Sequence, residues 1–192
     1  EAGGHLGFSR QDLDAPPSLS DLLREVLTTI APFRDKAGRD IPVFVAGGVK
    51  NGADMARYMK EGAAGAQFAT RFIATAECDA SDGYKQRLLN ASPGDITLVK
   101  SPVGMPGRAL RSPLIRRVED GTQPPPDRCM KCITTCDGKN APYCISRALI
   151  AARNGDWENG LFFCGANAGE INTLSTVQQQ MAQIMDEWRN AQ

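Results

Sequence analysis

Ile41-Pro42-Val43-Phe44-Val45-Ala46-Gly47-Gly48-Val49 is the stretch on which the fold turns. Its first part is apolar on both faces and rich in β-branched and aromatic side chains, the pattern of a strand buried in a parallel sheet. It closes on two glycines. Downstream, Asn51 suits a helix N-cap, Met55, Tyr58 and Met59 fall on one side of the helix that follows, and Gly62 is placed to end it. Ala64-Gly65-Ala66-Gln67-Phe68-Ala69 reads as a second short strand, with Thr70 starting a loop. Strand, glycine turn, helix and strand make one βαβ unit, whose crossover should be right-handed. The fold class is therefore α/β.

Upstream, residues 1–17 read as loop. Ser18 followed by Asp21 resembles a capping box, and Leu19, Leu22, Leu23, Val26, Leu27 and Ile30 recur at helical spacing up to Pro32, an expected end or kink. Beyond the βαβ unit, Tyr84, Leu88 and Leu89 suggest a helix and Ile96–Val99 a short extended piece. Residues 101–127, rich in Pro, Gly and Arg, read as a long excursion. Ile145–Arg153 looks helical, Gly160–Gly165 is an apolar run closed by glycine, and Val177, Met181, Ile184, Met185 and Trp188 mark a last helix. The organisation expected is 1–100 as the C-terminal part of a barrel and 101–192 as excursion, cysteine cluster and C-terminal helices packed on it.

The chain has 192 residues, enough for one domain with a substantial core. Its 22 basic and 22 acidic residues cancel, so nothing global attracts nucleic acid or an acidic membrane, and neither partner is expected. No apolar run approaches the ~20 residues of a bilayer span. With no leader recognised, a cytoplasmic location is expected, which makes reduced or metal-bound cysteines more natural than a disulfide framework.

Chemistry concentrates at two places. His5, the single histidine, lies in Glu1-Ala2-Gly3-Gly4-His5-Leu6-Gly7. A neutral imidazole can take or give a proton near pH 7, and glycines permit close approach; an exposed, idle histidine near a chain end is the plainer reading. Second, Gly47-Gly48 ends one strand and Ala69-Thr70 the next. Ligands of parallel α/β folds bind beyond the carboxyl ends of the strands. Free backbone N–H groups and the Thr70 hydroxyl there form a phosphate cradle; a mere tight turn is the alternative.

These motifs occur in order: Glu1–Gly7, then Pro42–Val49, then Gly65-Ala66-Gln67-Phe68-Ala69-Thr70-Arg71-Phe72-Ile73-Ala74-Thr75-Ala76-Glu77. In this the chain resembles the nitronate monooxygenase (2-nitropropane dioxygenase-like) family and its relatives, the FMN-dependent enoyl-ACP reductases. The resemblance is close over residues 1–77 and looser beyond. It implies the C-terminal portion of a (β/α)8 TIM barrel with a cysteine-containing C-terminal extension, the first five or so strands lying outside this chain, so that a missing N-terminal half is the first partner. It implies FMN, with His5 as catalytic acid/base beside the flavin and Gly3 and Gly4 close to it. Gly47 and Gly48 fall on the glycines that hold the FMN phosphate after strand seven, and Gln67, Phe68, Ala69 and Thr70 on the second phosphate turn. The family usually has glycine at the position of Ala69. The activity implied is oxidation of alkyl nitronates with O2; the alternative is reduction of an enoyl-ACP or enoyl thioester with NAD(P)H. A homodimer is compatible with either. A reading of another class is a non-catalytic metal-binding module with an idle His5.

Cys129, Cys132, Cys136 and Cys144 hold four of the six cysteines within one short segment. The C-x2-C-x3-C spacing resembles that of iron–sulfur flavoenzymes related to old yellow enzyme, and thiolates so spaced can converge on zinc or an iron–sulfur cluster. Four reduced, packed cysteines are the alternative. Arg108, Arg111, Arg116 and Arg117 read as a solvated face or as contacts to a phosphate. Gly165–Gly169 reads as a plain loop or as a turn near the flavin.

Overall fold

The computed structural model describes residues 2–7 and 16–192. Glu1, which belongs to the His5 motif, and residues 8–15, read in the sequence as loop, lie outside the described residues.

Helix α1 spans Leu19–Ala37. Ser18 caps it, its Oγ accepting from the Asp21 N–H at 3.1 Å and donating to the Asp21 carboxylate at 2.7 Å. The helix runs through Pro32, where the sequence suggested an end or kink. Pro32 and Thr28, whose carbonyl loses its partner to the proline, are both exposed, so water can satisfy that group and the break is tolerated. Gly38 stops the helix in the left-handed region.

Strands β1 (Phe44–Ala46) and β2 (Gly65–Gln67) pair in parallel, Val45 opposite Ala66, with helix α2 (Gly52–Lys60) between them. The βαβ unit is as the sequence indicates, and the Asn51 side chain caps α2 by accepting from the Asp54 N–H at 2.8 Å. Val45 is buried in a small core with Leu19, Leu23 and Tyr58. Phe44 and Ala46 face the other way and are exposed, Phe44 by 64%. A parallel strand normally has both faces covered; this one has a bare inner face.

The chain continues into a short helix α3 (Thr70–Ile73), so Thr70 begins a helical turn rather than the expected loop. Helix α4 (Asp82–Leu89) follows, then β3 (Ile96–Val99) and β4 (Gly107–Leu110), which form an antiparallel hairpin with Val99 opposite Gly107. Helix α5 (Pro113–Glu119) comes next. The region read as an excursion therefore holds a strand and a helix. Both are short, and their Pro, Gly and Arg neighbours hide the apolar period; Pro113 at the first helical turn starts α5 rather than interrupting it. Residues 121–144 make turns but no helix or strand. Helices α6 (Ile145–Arg153) and α7 (Val177–Asn190) complete the chain.

The main core centres on Phe162, fully buried among Tyr84, Leu88, Leu110 and Ala152. The Tyr84 and Trp157 rings lie 4.8 and 5.2 Å from it. A second core gathers Ile115, Leu161, Tyr143 and Ile145. Helix α7 lies across α2, meeting it at Gly52. Among the described residues no helix is long and apolar enough to cross a membrane.

Candidate functional site

A cavity of about 430 Å³ opens at the carboxyl ends of β1 and β2. Four stretches of the chain, with Gln180, Gln183 and Glu187 of α7, make its wall. Residues 2–4 supply an extended strip, 46–51 and 67–71 the two strand ends, and 165–173 a loop with one 3₁₀ turn. Of the residues that the sequence singled out, Gly3, Gly4, Gly47, Gly48, Gln67, Phe68, Ala69 and Thr70 all line it.

Backbone requirements explain the glycines. Gly47 and Gly48 have φ of 80° and 96°, a region that side chains disfavour. A Cβ on Gly48 would sit 2.9 Å from the Ala2 Cβ, and one on Gly47 3.1 Å from the Gly3 nitrogen. The glycine pair thus turns the chain and lets the Ala2–Gly3 strip pass against it. Thr70 ties the wall together, its Oγ1 accepting from the Gly165 N–H at 2.9 Å. Ala166 N–H bonds the Ala2 carbonyl at 2.9 Å, and Asn167 Nδ2 donates to the Gly48 carbonyl at 3.3 Å. Gly165 and Asn167 therefore belong to the wall.

His5 does not line this cavity; it stands just beyond its edge, next to Gly4. It is exposed, forms an antiparallel bridge with Gly107 of β4, and its ring lies 4.5 Å from that of Phe163. Leu6 N–H bonds the Pro106 carbonyl at 3.0 Å. The hairpin tip thus aims the histidine. Arg108, read in the sequence as part of a solvated face, fixes the same strip: its NH1 donates to the Gly3 carbonyl at 2.6 Å. Of the other arginines of that run, Arg111 pairs with Glu119 and Arg117 with Glu158. Nearby Cys164 is buried, which pushes its thiol up to about 12 against the pull of Arg108, so it stays a neutral packing group.

Charge at the cavity is arranged in pairs. Lys50 Nζ lies 2.6 Å from Glu170, which holds its ammonium above the ordinary lysine range. Arg71 reaches the Lys50 carbonyl at 3.0 Å and lies 3.7 Å from Glu187. The Gly48, Val49 and Ala69 N–H groups donate to no other described residue. A further lining residue escaped the sequence reading. Gln180 is 7% exposed; its Nε2 donates to Ser175 Oγ at 2.7 Å, while its Oε1 is buried without a partner. The available signal was a polar residue on the inward stripe of α7, three positions from Val177 and four from Ile184. A buried acceptor without a partner is costly, and Gln180 is placed at the cavity wall.

The cysteines sit elsewhere. Cys129, Cys132, Cys136 and Cys144 line one smaller cavity of about 120 Å³. As placed, no three His, Cys, Asp or Glu side chains among the described residues are grouped to hold a metal ion.

The strand ends of this α/β protein gather N–H groups and glycines around a cavity of ligand size. The family whose sequence profile matches residues 1–187 is described as Nitronate monooxygenase, and the chain belongs to it. A curated relative, (3aS,4S,5R,7aS)-5-hydroxy-7a-methyl-1-oxo-octahydro-1H-indene-4-carboxyl-CoA dehydrogenase of Mycobacterium tuberculosis, is 34% identical over 123 residues, 64% of this chain and 31% of the relative. A probable nitronate monooxygenase of Staphylococcus saprophyticus is 28% identical over 128 residues, 66% of this chain and 34% of the relative. Among solved structures, FabK from Thermotoga maritima superposes with a TM-score of 0.69 at 27% identity, covering 98% of this chain and 52% of that one. A nitroalkane oxidase from Streptomyces ansochromogenes gives 0.69 at 25% identity, covering 99% and 50%. The chain thus spans about a third of these curated relatives and half of these TIM-barrel structures.

Proposed function

We propose that this chain is the phosphate-gripping, histidine-bearing half of an FMN-dependent oxidoreductase that oxidises alkyl nitronates with O2. The observation that carries the reading is the convergence of Gly3-Gly4, Gly47-Gly48 and Thr70–Gly165 on one cavity beside His5. The residues fit FMN on grounds of their own. The cavity is of ligand size, a Cβ at Gly48 would fill its wall, free N–H groups suit a phosphate, and Gln180 offers an unpaired acceptor. The strands expected to complete the barrel are supplied by polypeptide outside this sequence. Coverage of half of the solved neighbours and the bare inner face at Phe44 support that completion.

FMN, when bound, supplies the electron transfer that no side chain of this chain can perform. Gly48, Val49, Ala69 and Thr70 would hold its phosphate, with Gln180 at the cavity wall beside them. His5 holds the nitro group or moves the proton at the carbon beside it. Its bridge to Gly107 and contact with Phe163 limit the directions in which the imidazole can turn.

A second reading is reduction of an enoyl thioester by NAD(P)H, with His5 giving the proton to the α-carbon. The likeness to FabK and the carboxyl-CoA name of the mycobacterial relative favour it. The test uses the full-length protein. O2 uptake with a nitronate, without nicotinamide, supports the first reading. NAD(P)H consumption with an enoyl thioester and no nitronate-dependent O2 uptake replaces it with the second. Absence of bound flavin sinks both and leaves the non-catalytic module. His5→Ala is expected to lower kcat by roughly 10²–10⁴-fold while flavin content stays at the parent level, the range for a lost acid/base group. Unchanged turnover at equal flavin loading would remove His5 from the chemistry.

A further inference from the structure

The segment 121–144 has turns but no helix or strand, yet it follows α5 and leads into α6 as part of the packed body. Its backbone needs a source of order that secondary structure does not supply. Four thiols are concentrated there. Cys129, Cys132, Cys136 and Cys144 come from one C-x2-C-x3-C-x7-C run and line a single cavity. The two other cysteines lie outside it.

Local geometry already shapes the first pair for ligation. Lys131 has φ of 50°, among the described residues the one non-glycine in the left-handed region. That turn brings the Lys131 N–H to 3.4 Å from Cys129 Sγ. A strained backbone without an evident packing cause points toward function. Gly138 lies so close to Cys129 that a Cβ there would collide with the sulfur at 2.4 Å. The loop after Cys136 therefore folds back onto the first cysteine of the run.

We propose that these four cysteines form a four-thiolate site for a thiophilic metal, either a zinc ion or an iron–sulfur cluster, which fastens the 121–144 segment to the body. The shared chemistry is sulfur ligation from four points of one chain at roughly 2.3 Å from a metal. The thiols do not converge closely enough as placed. Three of them lie inside the segment of turns, and Cys144 ends it at the N-cap of α6. Among the described residues, the hydrogen-bond contact that Cys132 would give up is the weak one of its Sγ with Ser146 Oγ at 3.4 Å.

The experiment is metal and sulfide analysis of the full-length protein purified without oxygen, together with its visible spectrum. About one zinc per chain supports a zinc site, and iron with acid-labile sulfide and a brown colour supports a cluster. Protein without either metal that also fails to take up Co2+ with the intense absorption of thiolate ligation overturns the proposal. Cys129→Ser, Cys132→Ser and Cys144→Ser are each expected to lower metal content at least about tenfold, while Cys78→Ser leaves it intact. Equal loss in Cys78→Ser overturns the assignment. Where a serine variant does not fold, mercurial titration of the parent protein serves instead. Metal must leave in step with modification of peptides holding residues 129–144. Flavin content is recorded throughout, so a failed metal site and a failed cofactor site remain distinguishable.

Discussion

Gly48 shows how much one missing methyl group can do. A positive φ and the 2.9 Å approach of Ala2 both forbid a Cβ there. Gly48→Val is expected to displace the Ala2–Gly3 strip and to weaken FMN binding at least tenfold, read as flavin retained after dialysis. Retention at the parent level would show that the phosphate is held elsewhere. Tyr84 works at longer range. Its hydroxyl donates to the Phe163 carbonyl at 2.7 Å, and the Phe163 ring faces His5. Tyr84→Phe leaves that carbonyl unpaired, at a cost of about 1–2 kcal/mol in chemical denaturation. Burial, reinforced by Cys164 and Cys78, raises the Tyr84 phenol above the ordinary tyrosine range. The folded state therefore favours the neutral phenol. Its contribution is complete below pH ~10 and lost as pH rises through the higher folded value. Tyr84→Phe should flatten that alkaline decline, and an identical slope in both proteins would contradict the assignment.

Among the elements, the crossing of α2 and α7 is the tightest. A Cβ on Gly52 would fall 1.9 Å from the Ile184 carbonyl and 2.5 Å from the Trp188 nitrogen. The Gly52 N–H also donates to Glu187 at 2.8 Å. Gly52→Ala is expected to push the helices apart and destabilise the protein by about 1–3 kcal/mol, the range for overpacking, with α7 gaining amide exchange first. Uniform exchange across α7 would mean that the helices do not depend on this contact. Nothing in the sequence marks Gly52 as a crossing point, because helix contacts arise between residues 130 or more apart. By contrast, β1, α2, β2 and the caps at Ser18 and Asn51 were legible, since each depends on local pattern: an apolar run, a cap side chain, a closing glycine. Strand β4 and helix α5 were not, being too short for a period to emerge among Pro, Gly and Arg. At the site, the glycine and threonine strand ends could be read directly. The roles of Arg108 and Gln180 could not, since both come from chain that folds back over more than a hundred positions.

Across the whole molecule, the inner face of β1 is the open question that the protein itself must answer. Phe44 is 64% exposed, and Phe33 and Val26 on α1 are 61% and 43% exposed. Apolar surface of this kind, beside strands with unpaired edges, invites association. Residues 1–192 produced alone should bind hydrophobic dye and self-associate, whereas the full-length protein should do neither. A monodisperse, dye-silent preparation of 1–192 would show that the face needs no cover.

The strip of residues 2–6 has no helix or strand of its own. It borrows its course from the β3–β4 hairpin through Gly107, Pro106 and Arg108, and from the later turn through Ala166. Evolutionary or engineered shuffling must therefore move these pieces as a set. A hairpin grafted from another member onto a foreign Gly-Gly-His stretch would shift both the imidazole and the strip that passes against Gly47 and Gly48.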